Sequence, residues 1–480
     1  MKLISMKTWI IFVMAVWPAM LNAAGMRLTI SPGELSSHRS SIFKESPASL
    51  TVTGNGDVRD LRFIADSLPP CVAAIDLSDL NILNYVFPIT SDEPRTVYPE
   101  GVIPSATFAF SRFSSFILPR NTSEIGEAAF AGSEISEITF PENLKTIGEY
   151  AFAGCLSLKK VNAPHHSLTR LGKGAFENCP GLNTIDMSDT WLEKIGEHAF
   201  AGCTRLSEIR FPPTLRRVET EAFAGTCISQ INFPFEVRTA AFGLSSMPYL
   251  EKVSLDWAPL TAEGIFLNTP RLQSVEGVCG DLPALFAAGS GVTEASTFYY
   301  AETFGAYSLT SIPADSLKFG RQLRYIGTEA FSRMKNLRSI DVTMLDGTIP
   351  QTEEKSFDGI TPSDITLAVN SRFLDIWKEH PQWSLFKIVP IDVSGVDELY
   401  ADTATGSIHF TLSGSKLTVR SGHPLRWVKI YSIDGRLLTV GSSGNREWTC
   451  DLAPYAGMVT IAEATDTEGC REIMKFIVEQ

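Results

Sequence analysis

Three cysteines recur at a fixed interval: Cys155, Cys179 and Cys203 stand 24 residues apart. A metal site would need ligands that converge on one point with zinc-like sequence spacing. Equal long spacing strings them along a line instead, where a small thiol fills a tight apolar slot. Cys450 and Cys470 fall on or beside short alternating segments and could be bridged in an oxidising compartment. The seven histidines are scattered; His165, His166 and His198 occupy variable positions and read as solvated. Ser157-x-x-Lys160 and Ser413-x-x-Lys416 have the serine–lysine spacing of a penicillin-site nucleophile. The motif is short, and Ser157–Lys160 belongs to a segment that recurs along the chain. H-E-x-x-H, G-x-S-x-G and the Walker lysine loop are absent from the sequence. No catalytic set, metal or cofactor is expected.

The line of cysteines follows from a repeat. One phrase is written five times between Ser123 and Pro234, with Phe130, Phe152, Phe176, Phe200 and Phe223 marking one slot at intervals of 22 to 24 residues. Ile138, Val161, Ile185, Ile209 and Ile231 mark a second. Each copy is too short to bury its own apolar face, so copies must stack and align equivalent side chains into internal ladders. The ending L-x-x-I-x-F (Leu206, Ile209, Phe211) alternates as a half-buried strand does. Pro141, Pro164, Pro212 and Pro234 close that strand, because proline cannot donate to a ladder. Leu144, Leu168, Leu192 and Leu215 form a further apolar slot, followed by Ile-Gly or Leu-Gly and the Ala-Phe turn.

The phrase I-G-x-x-A-F-x-x-C-x-x-L-x-x-I-x-[FL]-P resembles the BspA-like (treponema-type) leucine-rich repeat of bacterial surface proteins. Weaker copies extend it upstream at Ala109–Pro119 and downstream at Ala241–Leu255, Ile265–Val275, Thr303–Pro313 and Tyr325–Val342. The resemblance implies an α/β-type leucine-rich repeat solenoid of about ten coils, short strands joined by irregular or short helical turns. It also implies an exported, non-enzymatic protein of a Bacteroidetes-like bacterium, associated with adhesion to host matrix or to other bacteria.

The rest of the chain is read around that array. Residues 1–24 have two lysines (Lys2, Lys7), an apolar centre Trp9–Trp17 and small residues at 21–24, as a secretory signal peptide does. No later apolar run reaches the length of a membrane span. Residues 25–95 form a flank and cap: a strand with Leu50 and Val52, a turn at Gly54-Asn55-Gly56, a short helix around Asp60–Ile64 and a strand at Val72–Leu77. The solenoid runs over 96–392 and closes with a helix carrying Phe373, Ile376 and Trp377, then Trp383 and Phe386. Residues 393–480 lose the period and read as a small all-β sandwich. Its pieces VKIYSIDGRLL and KFIV resemble the C-terminal sorting domain of the type IX secretion system, which implies passage to the cell surface or release.

The net charge of −13 argues against a nucleic-acid partner. The candidate ligand face is made by stacking. One outward column is Thr139, Asn162, Asp186, Arg210, Asn232 and Ser254; its neighbour is Glu137, Lys160, Thr184, Glu208, Gln230 and Lys252. Charge, amide and hydroxyl together suit an extracellular protein ligand, with a glycan or a purely structural envelope role as alternatives. Asp256–Thr303 is expected to break the period, with Trp257, Phe298, Tyr299 and Tyr300 folding back as core or forming a contact site.

Overall fold

The computed structural model describes residues 25–480 except 88–95, 165, 235–236, 256–261, 277, 346, 393–407, 414, 422–424, 433–436, 442–445, 456–458, 467–470 and 478–480. The expected signal peptide, His165, Trp257 and Cys470 lie outside the described residues, and so does the proposed Cys450–Cys470 bridge. The chain divides into two compact units, Met1–Ile391 and Asp392–Gln480.

The first unit is a stack of coils with two parallel strands in each coil of its central array. The strands of the first sheet are the expected ones: Ser115–Ile117, Glu137–Thr139, Lys160–Asn162, Thr184–Asp186 and Glu208–Arg210 pair in order. Their central residues Phe116, Ile138, Val161 and Ile185 point into the core. A second sheet was not foreseen. It runs Val102–Ile103, Glu124–Ile125, Thr146–Ile147, Arg170–Leu171, Lys194–Ile195, Arg217–Val218 and Arg238–Thr239, all parallel and in register. Its apolar members are the Ile or Leu of the Ile-Gly pair, and the glycines beside them mark the closest approach between coils. A Cβ on Gly172 would lie 2.6 Å from the Gly148 carbonyl carbon, and one on Gly196 would lie 2.5 Å from the Gly172 carbonyl carbon.

The Ala-Phe segments form turns, not helices. Phe152 N–H donates to the Ala175 carbonyl and Phe176 N–H to the Ala199 carbonyl, both at 2.8 Å, so the turns make a third hydrogen-bonded ladder. Each turn needs left-handed backbone at two positions, filled by Ala128, Tyr150, Gly174, His198 and Glu221 in successive coils and, four residues on, by Gly132, Gly154, Asn178, Gly202 and Gly225. Behind the turns the Phe130, Phe152, Phe176, Phe200 and Phe223 rings stack 5.2 to 5.7 Å apart and within 7° of parallel. All five are fully buried, each worth roughly 1.5–3 kcal/mol of transfer free energy. Three residues on, the cysteine slot runs Ser133, Cys155, Cys179, Cys203, Thr226. The Cys155, Cys179 and Cys203 thiols donate to the carbonyls of Phe130, Phe152 and Phe176, each at 3.1 Å. They lie in line and serve packing.

The expected break over Asp256–Thr303 is corrected in part: among the described strands one ladder stops at Ser274–Glu276 and the other between Arg238–Thr239 and Cys279–Leu282, yet the coils continue. Ser274–Glu276 pairs in register with Lys252–Ser254, and Cys279–Leu282 pairs with Tyr300–Phe304. What drifts is the occupant of the aromatic slot, not the coil. Leu244 N–H donates to the Ile265 carbonyl and Phe266 N–H to that of Phe286, the same rungs as before, so Leu244 and Phe266 fill the slot. Phe242, which looks like the aromatic of an Ala-Phe pair, instead lies over Gly264, whose added Cβ would meet its ring at 2.4 Å. One coil is altered: a 3₁₀ turn, Ala295–Phe298, precedes the strand Tyr300–Phe304. Phe298 is buried there, as the core reading expects, and Tyr299 is half-buried. Nothing is described of the Tyr300 ring.

Both ends of the array are closed. At the start, Met26–Ile30, Ser49–Gly56 and Ala74–Asp76 extend the first sheet in parallel, with helices Arg39–Glu45 and Val58–Ser67 beside them. The Gly54-Asn55-Gly56 turn is corrected: these residues end a strand and pair with Leu80–Ile82. Gly54 is required by its φ of +98° and by the Ile30 carbonyl oxygen, which a Cβ would meet at 2.5 Å. At the other end, helix Leu374–Glu379 brings Trp377 edge-on to Trp383, centroids 5.5 Å apart, both buried. Ile376, expected to plug the end, is 42% exposed, because on so short a helix Trp377 takes the inward position.

The second unit has two antiparallel sheets. One pairs Ile408–Ser413, Lys416–Ser421 and Glu447–Asp451; the other runs Leu437–Gly441, Leu425–Ser432, Val459–Asp466, Arg471–Ile477. Ile408, Leu417 and Val419 of the first pack with Val428, Ile430, Ala462 and Phe476 of the second, which makes a sandwich core.

Candidate functional site

The outward face of the first sheet carries the two columns that stacking implies. Because each strand buries only its central residue, the residues on either side of it project together, and pairing places their counterparts one strand spacing away, about 4.8 Å. Glu137, Thr139, Thr184, Asp186, Glu208, Arg210, Gln230 and Asn232 are exposed, and Lys160, Asn162 and Lys252 are exposed or half-exposed. Ser254 departs from the column. It is 8% exposed, since a short side chain in register between Asn232 and Glu276 sinks below its longer neighbours.

The columns are wired together by polar contacts. Lys160 Nζ lies 2.9 Å from Glu137 Oε1, and Asn162 Nδ2 donates both to that oxygen at 3.0 Å and to Thr139 Oγ1 at 2.9 Å. Together the Lys160 and Asn162 bonds hold the Glu137 carboxyl below its usual range. Arg210 reaches Glu208 at 3.0 Å and Asp186 at 3.5 Å. Burial raises the Asp186 carboxyl, but two bonds from Ser188 and the Arg210 charge outweigh it and leave it lowered. Lys252 pairs with Glu276. Every contact but the Glu208–Arg210 pair and the Ser188 bonds joins successive coils. The hydrogen-bonded ladder of strands is interrupted once here, between Glu208–Arg210 and Gln230–Asn232.

The arrangement offers many preset donors and acceptors on a rigid surface. Of the serine–lysine pair, Ser157 is exposed and the Lys160 amine is engaged by Glu137. Two exposed apolar residues that sequence reasoning missed, Leu156 and Trp191, flank the strands Lys160–Asn162 and Thr184–Asp186 in sequence. Trp191 is 54% exposed, with the His166 ring 6.1 Å away, and Leu156 is 69% exposed. The available signal was an aromatic at a position where the related coils have Asn143, Ser167 and Thr214. Among the described residues no helix is long and apolar enough to cross a membrane.

A model of the BspA type leucine-rich repeat region matches residues 101–226, 173–275 and 300–376, together more than half of the chain. No curated protein sequence matches it. Among solved structures, a leucine-rich repeat protein from Bacteroides ovatus is 20% identical over 78% of this chain and 93% of its own, with a TM-score of 0.48. A leucine-rich cell surface protein from Faecalibacterium prausnitzii is 20% identical over 65% and 86%, with a TM-score of 0.33. A leucine-rich repeat protein from Eubacterium ventriosum is 14% identical over 57% and 95%, with a TM-score of 0.27. With the repeat model spanning the array, two ladders of strands built on its Ile slots and a buried stack of rings on its Phe slot, the chain belongs to the BspA-type leucine-rich repeat family.

Proposed function

We propose that this is an exported protein of the bacterial cell surface that binds another extracellular protein, of host matrix or of a neighbouring bacterium, through the outward face of its first sheet. The observation that carries the reading is the double column of polar residues held in register over four consecutive coils, from Glu137 to Arg210. Contacts between coils fix those side chains before any partner arrives, which lowers the ordering cost of binding. Export rests on the signal-like residues 1–24, and display or release on the likeness of residues 393–480 to a type IX sorting domain.

The test is binding of the full chain to an array of matrix proteins and bacterial surface proteins, beside a D186A/R210A variant. Both side chains are more than half exposed, so the variant should fold as the parent does. A protein hit should weaken at least tenfold in the variant, about 1.4 kcal/mol. Protein hits that the variant retains in full would remove this face from the reading.

A further inference from the structure

The second sheet carries a charge pattern that the first does not. Its outward column places Arg170, Lys194, Arg217 and Arg238 in register on four consecutive strands. All four are exposed. On the first sheet, signs alternate and neighbours pair; here four cations stand single file about 4.8 Å apart. Like charges directly opposite on neighbouring strands destabilise a sheet, so the strip holds a repulsion that a bound anion would relieve. One acid bridges two of them. Glu219, mostly buried, is 2.7 Å from Lys194 and 2.8 Å from Arg217. Among the described residues no carboxylate pairs with Arg170 or Arg238.

The geometry points to this strip as a binding site for a linear sulfated polysaccharide lying along the stack. Three of the four cations are arginines, whose planar forks bind oxyanions through paired hydrogen bonds. An extended acidic peptide fits less well: its same-side groups recur about every 6.8 Å and fall out of step with the cations. Single-stranded nucleic acid would call for aromatic stacking platforms, and the column has none. Sulfate groups set densely on flexible bonds need no fixed register. The overall charge of −13 is no obstacle, since at physiological ionic strength fields decay over about 8 Å and the local strip dominates.

Heparin is the probe, titrated into the full chain at several salt concentrations beside an R170Q/R238Q variant, which leaves the Glu219 pairs intact. The variant should bind at least tenfold more weakly and lose roughly 1.5 units from the slope of log affinity against log salt, on the order of 0.7–0.9 per cation. Unchanged thermal melting would exclude misfolding as the cause. Desulfated heparin should fail to bind, and D186A/R210A should bind heparin as the parent does, which separates this site from the first-sheet face. Equal heparin affinity in R170Q/R238Q, or equal binding of desulfated heparin, would overturn the assignment.

Discussion

Phe176→Ala should lower the unfolding free energy of the repeat unit by about 3–5 kcal/mol. The ring is fully buried between Phe152 and Phe200, with centroids 5.3 and 5.6 Å away and planes within 7°. Truncation removes its transfer free energy and leaves a cavity whose walls are held by three hydrogen-bonded ladders, so collapse is limited. The backbone contacts persist: the Cys203 thiol bonds the Phe176 carbonyl, which alanine also has. Position adds a second effect. In a stack where each coil contacts only its neighbours, a weak central interface divides the array into two shorter ones. Urea unfolding should therefore shift to lower denaturant and broaden or split, and amide exchange should accelerate first on both sides of residues 170–200. A loss under 1 kcal/mol with one sharp transition would show that the aromatic ladder carries little of the stability.

The Phe and Ile columns were legible because each is one apolar residue at a fixed interval, and stacking admits one arrangement of them. The second sheet was not, because its strands are two residues long and cannot show alternation. Its only trace was the Ile-Gly pair, whose glycine is now explained by backbone contact with the preceding coil. Missing that strand hid the basic column, since Arg170, Lys194, Arg217 and Arg238 fall into line only once its register is known. The first-sheet columns were readable residue by residue, whereas their wiring was not. Lys160 meets Glu137 across 23 positions of sequence, a neighbour that register creates and composition conceals. Phe242 misled in the opposite direction: a matching Ala-Phe pair sat one left-handed turn away from the slot that Leu244 fills.

Asp60→Ala should be nearly as costly as the loss of Phe176, and its damage should stay at the start of the chain. The Asp60 carboxylate is 1% exposed and accepts three backbone N–H groups: Gly33 at 2.7 Å, Leu35 at 3.0 Å and Asp57 at 3.0 Å. The last closes the capping box of helix Val58–Ser67, and the other two tie in the turn after Met26–Ile30. Alanine would leave these donors without a partner at roughly 1–3 kcal/mol each where they stay buried. Because the flank is terminal, it should fray by itself, so exchange should rise over residues 26–82 while the aromatic ladder stays protected. Burial pushes the Asp60 carboxyl upward, against the lowering effect of its three donors, and the net shift is upward. The folded flank thus holds this proton more firmly than the unfolded chain. The group's contribution to stability falls as pH rises from the unfolded value, about 4, through the raised folded one. Asp60→Asn removes that dependence while keeping one acceptor oxygen, so it should cost less than alanine and flatten the pH profile of flank exchange. An alanine variant that loses less than about 1 kcal/mol would mean that the three donors find other partners and that the flank is held by its apolar core.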